Sequence, residues 1–530
     1  MSTWARCGLT AAILAAAAEP VRAQVGRDGK PDAPRPATKD AAPPGKTKFA
    51  APTRPPASEL AAWIDAQFAA LWVKENLAPA PIADDAAFLR RACLDLIGTI
   101  PSVSQARDFF ADATPDKRNK LVERLVTDTR HAGHMARVWR RIMIPPSSPG
   151  IFFAANVEPW LRDELAKNIG FDKLARQIIA AQPSGGVSPG AFYQAVGAEP
   201  APSAGAAVRV FLGARIGCAE CHDHPFASWT QDDFWGTAAF FANGARSRRG
   251  SAEPTKGVIT IRRPGSDKVY QGRFLGGATA VVPDDKSPRE FLADWIVRHP
   301  DFAATCVNRM WQHLFGSGLV HPVDGLDLAD RRPAILDELA LRFAAADFDL
   351  RWLLAALCQT RLYQRASEQR PKQARHFTHM TLKTLSSEQV FDVLEQALAL
   401  PIAATPGAPR YDNRRRQLID KLNESAGDSP EEYRAGILQA LALMNGQLIA
   451  GGTDLAQSRT LRAVLEAPFL SPAGKLEALY LAALTRPPRR DELHAMLDYV
   501  TRPQTKPQQQ RAYADVFWSL LNSPEFVLNR

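Results

Sequence analysis

Nine consecutive residues carry the chemistry of this 530-residue chain: Cys218-Ala219-Glu220-Cys221-His222-Asp223-His224-Pro225-Phe226. They contain the pattern C-x-x-C-H, by which a c-type haem is attached. Two thiols three residues apart add across the two vinyl groups of the porphyrin, and the histidine that follows takes the proximal position on the iron. The pattern leaves two other readings open. Cys218, Cys221, His222 and His224 are soft and borderline donors close enough in sequence to form part of a zinc or non-haem iron site. A disulfide stapling a short loop is the third. His224, two residues beyond His222, cannot easily reach the opposite face of the same ring, so hydrogen bonding or packing is its expected part beside haem. The more distant candidates for a second axial position are His313, Met310, His134 and Met135. Each of these residue types is more often found in a core, and His313 lies on an aromatic-rich stretch ending at Gly316.

Five aromatics follow the motif within thirteen residues: Trp229, Phe234, Trp235, Phe240 and Phe241. They fit either a filled core or the apolar wall that a porphyrin needs to hold water away and set its potential. Asn308, Arg309 and Asp324 fit either a polar pocket or the satisfaction of buried backbone groups. No nucleophile elbow, zinc-protease helix or phosphate-binding loop occurs, so the sequence singles out no catalytic residue.

The elements that must position these groups are helical. Leu60, Ile64, Phe68 and Leu71 recur at helical spacing from Glu59 onward. A second helix is expected over Phe88 to Ile97, ended by Gly98. A third opens at Thr114-Pro115 with a hydroxyl cap, and another covers Trp160 to Ile179. A helix from about Ala206 leads into the cysteines. Between Arg246 and Lys286 the composition turns to Gly, Pro, Arg and β-branched residues, with two short strands at 258–261 and 269–271 around a Pro-Gly-Ser-Asp turn. Ser287 with Glu290, Ser386 with Gln389 and Ser429 with Glu432 have capping-box spacing, and the chain reads as helical nearly to its end. Pro401–Arg410 is expected as a loop and Pro503–Gln510 as a polar break. The fold class expected is therefore mainly α: two helical domains, 59–245 and 287–530, joined by a short β-containing linker at 246–286.

Composition bounds the setting. The net charge is +9, but the 65 basic residues are scattered, with local patches at Arg246–Arg249 and Arg414–Arg416 and no nucleic-acid motif, so a solvated surface accounts for them. Arg6, the apolar run Leu9 to Ala18 and Val21-Arg22-Ala23 form a secretory signal pattern, cut after Ala23, that is too short to span a bilayer. The mature net charge would be +8, and the location periplasmic or secreted. Residues 24–58, rich in Pro, Ala and Lys, read as a flexible tether. Five cysteines remain, too few for a disulfide scaffold once a haem takes two.

These residues also carry a family resemblance. The chain resembles the secreted two-domain proteins of planctomycetes and related bacteria that pair a planctomycete cytochrome C domain with a second domain of unknown function. The first half is similar through Phe211 to Phe226, Trp229-Thr230-Gln231 and Ala238-Ala239-Phe240-Phe241; the second through Val307 to Val320, Pro322-Val323-Asp324, Asp349 to Leu353, Leu441 to Gly446 and Leu521 to Phe526. Many members carry a further N-terminal cytochrome-like domain, whereas only the tether precedes Glu59 here, which implies one covalent haem c rather than two. The resemblance implies export and a redox or haem-linked role with an unknown redox partner. Members are often encoded beside secreted sulfatase-like proteins, which suggests polysaccharide breakdown as the setting. A metal-dependent enzyme and a non-catalytic envelope scaffold are the alternatives.

Overall fold

The computed structural model describes residues 54–242, 257–328, 332–368, 376–400, 413–423 and 447–530. The signal pattern, nearly all of the tether, the Arg246–Arg249 patch, the Pro401–Arg410 loop, the Ser429–Glu432 box and the Leu441–Gly446 stretch lie outside the described residues. The protein is mainly α, as its periodicity predicts, and its strands form only two-stranded pairs.

The chain begins with α1 (Ala57–Lys74), α2 (Asp85–Ile97), α3 (Val103–Ala111), α4 (Lys117–Val126) and α5 (Thr129–Met143). It continues through α6 (Ala154–Ala166), α7 (Phe171–Ala180), α8 (Ala191–Val196), α9 (Pro200–Leu212) and α10 (Gln231–Ala242). Two antiparallel pairs follow, β1 (Gly257–Val258) with β4 (Val281–Val282) and β2 (Thr260–Arg262) with β3 (Val269–Gln271). Then come α11 (Pro288–Ile296), α12 (Pro300–Phe315), α13 (Ala334–Ala345), α14 (Leu350–Gln359), β5 (Lys383–Thr384) and α15 (Ser387–Ala397). The last elements are α16 (Asn413–Asn423), α17 (Gln447–Thr453), α18 (Arg459–Glu466), α19 (Pro472–Leu484), α20 (Arg490–Thr501), α21 (Lys506–Leu521) and β6 (Leu528–Asn529), which pairs with β5.

Local sequence explains most boundaries. Ser287 and Ser386 each close a reciprocal box with the residue three further on, so α11 and α15 start where their hydroxyls satisfy free amide groups. Gly98 ends α2 in the left-handed region at φ 75°, and a side chain there would also strike His134. Several boundaries differ from the sequence reading. The polar break expected at Pro503–Gln510 is helical from Lys506, because Pro507 suits a first turn. The strand expected at 258–261 is divided between β1 and β2, which pair with different partners. Gly170 divides the Trp160–Ile179 stretch into α6 and α7. The helix expected at Thr114 begins instead at Lys117, behind Asp116 and without a side-chain cap. The helix leading to the cysteines starts at Pro200, because proline suits the first turn and the alanines that follow continue it.

The main apolar core runs from Leu60 to Tyr363 and on to Leu481; α1 packs on α14, α9 on α12, and α7 on α11. A second core gathers α15 to α21 around Leu94 and Ile100. Helix α2 serves both cores and is buried along nearly its whole length, including Arg90, Arg91 and Asp95. Charge in such a place must be fully partnered. Arg90 donates to the carbonyls of Ala483 (3.2 Å), Phe526 (2.6 Å) and Leu528 (3.3 Å). Arg91 donates to the carbonyls of Tyr363 and Arg530 and to the Ser367 hydroxyl.

Candidate functional site

The cysteine motif sits between α9 and α10. Gly213 ends α9 at φ 65°, where a side chain would press on Thr305 of α12, and its carbonyl accepts from Leu326 N–H at 3.0 Å. Ile216, just before the 3-10 turn Gly217–Glu220, and Ala219 within it are buried pegs. Cys218 and Cys221 are exposed free thiols. Cys218 lies within this turn and Cys221 caps its C-terminal end. The amides of Cys221 and His222 both reach the Cys218 carbonyl at 3.4 Å.

Helix α10 holds this turn from behind. Trp235 Nε1–H donates to the Glu220 carbonyl at 3.1 Å, Gln231 donates through its side-chain amide to the Cys221 carbonyl, and Asp223 accepts the Gln231 N–H at 2.9 Å. Thr230 and Asp233 exchange bonds at the start of the helix. The hydrogen bonds these residues make were not read from the sequence; the signal was the run Trp229-Thr230-Gln231-Asp232-Asp233 directly before an apolar helix.

The two histidines of the motif are held in opposite ways. His222 is exposed and its Nδ1–H donates to the Asp223 carbonyl at 2.8 Å, which leaves Nε2 with a free lone pair. That is the orientation a ligating imidazole takes when its other nitrogen is anchored to a carbonyl. His224 Nδ1 instead accepts from the amides of Phe226 (3.1 Å) and Ala227 (2.9 Å), so in the neutral ring the proton resides on Nε2. Its own N–H bonds the Trp229 carbonyl at 2.8 Å, closing the 224–229 turn that presents Phe226 at 86% exposure. The donor set of two exposed thiols and one oriented imidazole fits a thioether-bound haem. Among the described residues no group of three or more His, Cys, Asp or Glu side chains is arranged to hold a metal ion.

The aromatic run is divided. Phe234, Trp235, Phe240 and Phe241 are buried and fill the core, with Trp235 stacked on Tyr270 and Phe240 on Phe274. Only Trp229 is half-buried at the motif, where its indole N–H reaches Asp327. Burial alone would raise the pKa of Asp324; Arg309, Arg209 and Arg215 outweigh that and hold it below the usual carboxylate range. Asn308, next to Arg309, exchanges both amide groups with the backbone of Val320, at 2.8 and 3.0 Å, and so satisfies buried backbone.

His313 is not drawn to the motif. It is half-buried on α12, with Nε2–H on the Asp95 carbonyl at 2.9 Å, and the buried His134 of α5 reaches the same oxygen at 3.1 Å. Their rings lie 5.8 Å apart. The Asp95 carboxylate accepts from Lys383 (2.7 Å), Asn529 (2.7 Å) and the Tyr363 hydroxyl (2.8 Å). Burial pushes the pKa of His313 down to about 4 and that of His134 well below its ordinary value, so both are neutral donors near pH 7. Met310 and Met135 are buried in the main core.

The C-x-x-C-H turn lies in the first of two regions that match known families. Residues 63–246 match PSCyt2, a family of unknown function (DUF1549) whose name abbreviates planctomycete cytochrome C, and residues 288–434 match PSD1, a second family of unknown function (DUF1553). The chain belongs to the two-domain family in which these regions follow in this order. No curated protein and no solved structure matches it. No helix among the described residues is long and apolar enough to cross a membrane.

Proposed function

We propose that this protein carries one covalent haem c, bound through Cys218 and Cys221 with His222 as the proximal ligand, and that it transfers electrons outside the cytoplasm. The observation that carries the reading is the pairing of two exposed, unpaired thiols at one short turn with an imidazole whose Nδ1–H is committed to the Asp223 carbonyl. A bound haem supplies a one-electron iron couple, tuned by its axial ligands and by the polarity around it.

The chain's own residues do the positioning. Gln231 and Trp235 fix the carbonyls of Cys221 and Glu220, which holds the backbone that carries both thiols. Asp223 serves twice: its carbonyl orients His222, and its carboxylate caps Gln231 at the start of α10. His224 shapes the following turn rather than donating a lone pair, which weighs against a four-ligand zinc or iron site that needs it. A secretory signal agrees with thioether attachment, and the family's neighbourhood of sulfatase-like proteins suggests oxidative or reductive support of polysaccharide breakdown.

The test is the full chain made together with a haem-attachment system. Covalent mass gain and a c-type α-band in pyridine haemochrome spectra are expected. Protein that folds yet carries no haem, with both thiols titrating as free, would sink the reading.

A further inference from the structure

Three guanidinium groups converge on one buried carboxylate next to the cysteine turn. Arg309 pairs with Asp324 directly, while Arg209 and Arg215 stand 3.5 and 3.6 Å from its second oxygen. Two of the three are fully engaged elsewhere as well. Arg209 donates to the carbonyls of Ile142 (3.0 Å) and Met143 (2.7 Å), and Arg309 to the carbonyl of Arg209 (2.7 Å). Arg309 Nε is nevertheless buried with no acceptor. Three guanidinium groups thus face the single carboxylate of Asp324.

Arg215 differs from its companions. Its side chain is 57% exposed, its distance to Asp324 is ionic rather than that of a hydrogen bond, and among the described residues it donates no hydrogen bond. It lies three residues before Cys218, within about 10 Å of backbone reach. A planar guanidinium with free donors and an excess of positive charge behind it is a carboxylate-binding group.

We propose that Arg215, backed by Arg209 and Arg309, binds a propionate carboxylate of the haem attached at the adjacent turn. This rests on the haem reading above. The cofactor's carboxylate would add to the charge balance that Asp324 alone leaves unfinished. A cation held near the iron favours the ferrous form, so Arg215 raises the reduction potential.

The experiment compares haem-loaded full-length wild type with Arg215→Gln and Arg215→Lys, reading covalent haem by mass and the midpoint potential by redox titration. Arg215→Gln should keep its haem and lose roughly tenfold in the reduction equilibrium constant, about 59 mV for one electron, and Arg215→Lys should recover much of it. An unchanged midpoint in Arg215→Gln with haem in place overturns the proposal while leaving the haem reading intact. A wild-type midpoint that moves with added phosphate at fixed ionic strength, with Arg215→Gln insensitive to it, assigns the site to a solution anion and overturns the proposal too. Wild type without covalent haem removes the haem reading and this assignment together.

Discussion

Asp95 and Lys383, 288 residues apart in sequence, meet in a 2.7 Å ion pair. Asp95 belongs to the region matching the first family and Lys383 to the region matching the second. Lys383 also donates to the carbonyls of His313 and Leu314, so it closes the C-terminal end of α12 while neutralising α2. The two matched regions thus share a charged joint as well as an apolar core.

Asp95→Ala should cost about 3–5 kcal/mol, because it strands the Lys383 ammonium, the Tyr363 hydroxyl and the Asn529 amide together. Replacing both charges, as Asp95→Leu with Lys383→Met, should cost less than the single change. Urea denaturation of the three proteins checks this, and a double mutant worse than Asp95→Ala would contradict it.

Cys218→Ala with Cys221→Ala should abolish covalent haem and leave the fold in place. Both side chains are exposed and unpaired, so the expected change in stability is within about 0.5 kcal/mol. Haem mass and the thermal melt are the two readouts. A collapse of the melt would mean that the turn is held by its thiols rather than by Ala219, Gln231 and Trp235.

The histidines of the motif should separate. His222→Ala is expected to change the iron's spin state and potential strongly. His224→Ala should alter them far less, and should instead speed hydrogen exchange at the Phe226 and Ala227 amides that its Nδ1 accepts. His313→Ala, on α12, should leave the spectrum unchanged and lower stability. A larger spectral effect from His224 than from His222 would favour a non-haem site.

Acid should destabilise the protein before its carboxylates titrate. His131 and His313 are both held down to about 4, chiefly by burial, and His134 is lowered as well. The unfolded chain takes up protons near 6.5, whereas the folded one does not until far lower pH. Stability therefore falls as pH drops from about 6.5 toward 4, by up to about 1.4 kcal/mol per pH unit for each such imidazole. Urea midpoints at pH 7.5, 6 and 5 test this, and His313→Gln should make the dependence shallower. A flat profile between 7.5 and 5 would mean that the histidines are accessible.

Much of this was legible in the sequence where the cause is local. The capping boxes at Ser287 and Ser386, the left-handed Gly98 and the β2–β3 hairpin each follow from a few neighbouring residues. The motif itself needed only spacing. The long-range partners were not legible, since nothing local pairs Arg215 with Asp324 or Trp229 with Asp327. One signal was available and went unused. The Phe88–Ile97 stretch is apolar on several faces yet contains Arg90, Arg91 and Asp95. A helix buried all round must find partners for such charges, which would have marked α2 as the hub.

The grip of Arg90 on Phe526 and Leu528 also bears on folding. Its partners lie 436 and 438 residues further along the chain, and the Asp95–Asn529 contact spans 434. Arg91 and Asp95 have other partners at Tyr363 and Lys383, whereas these Arg90 contacts need residues 526–528. Contacts of such long sequence separation slow folding.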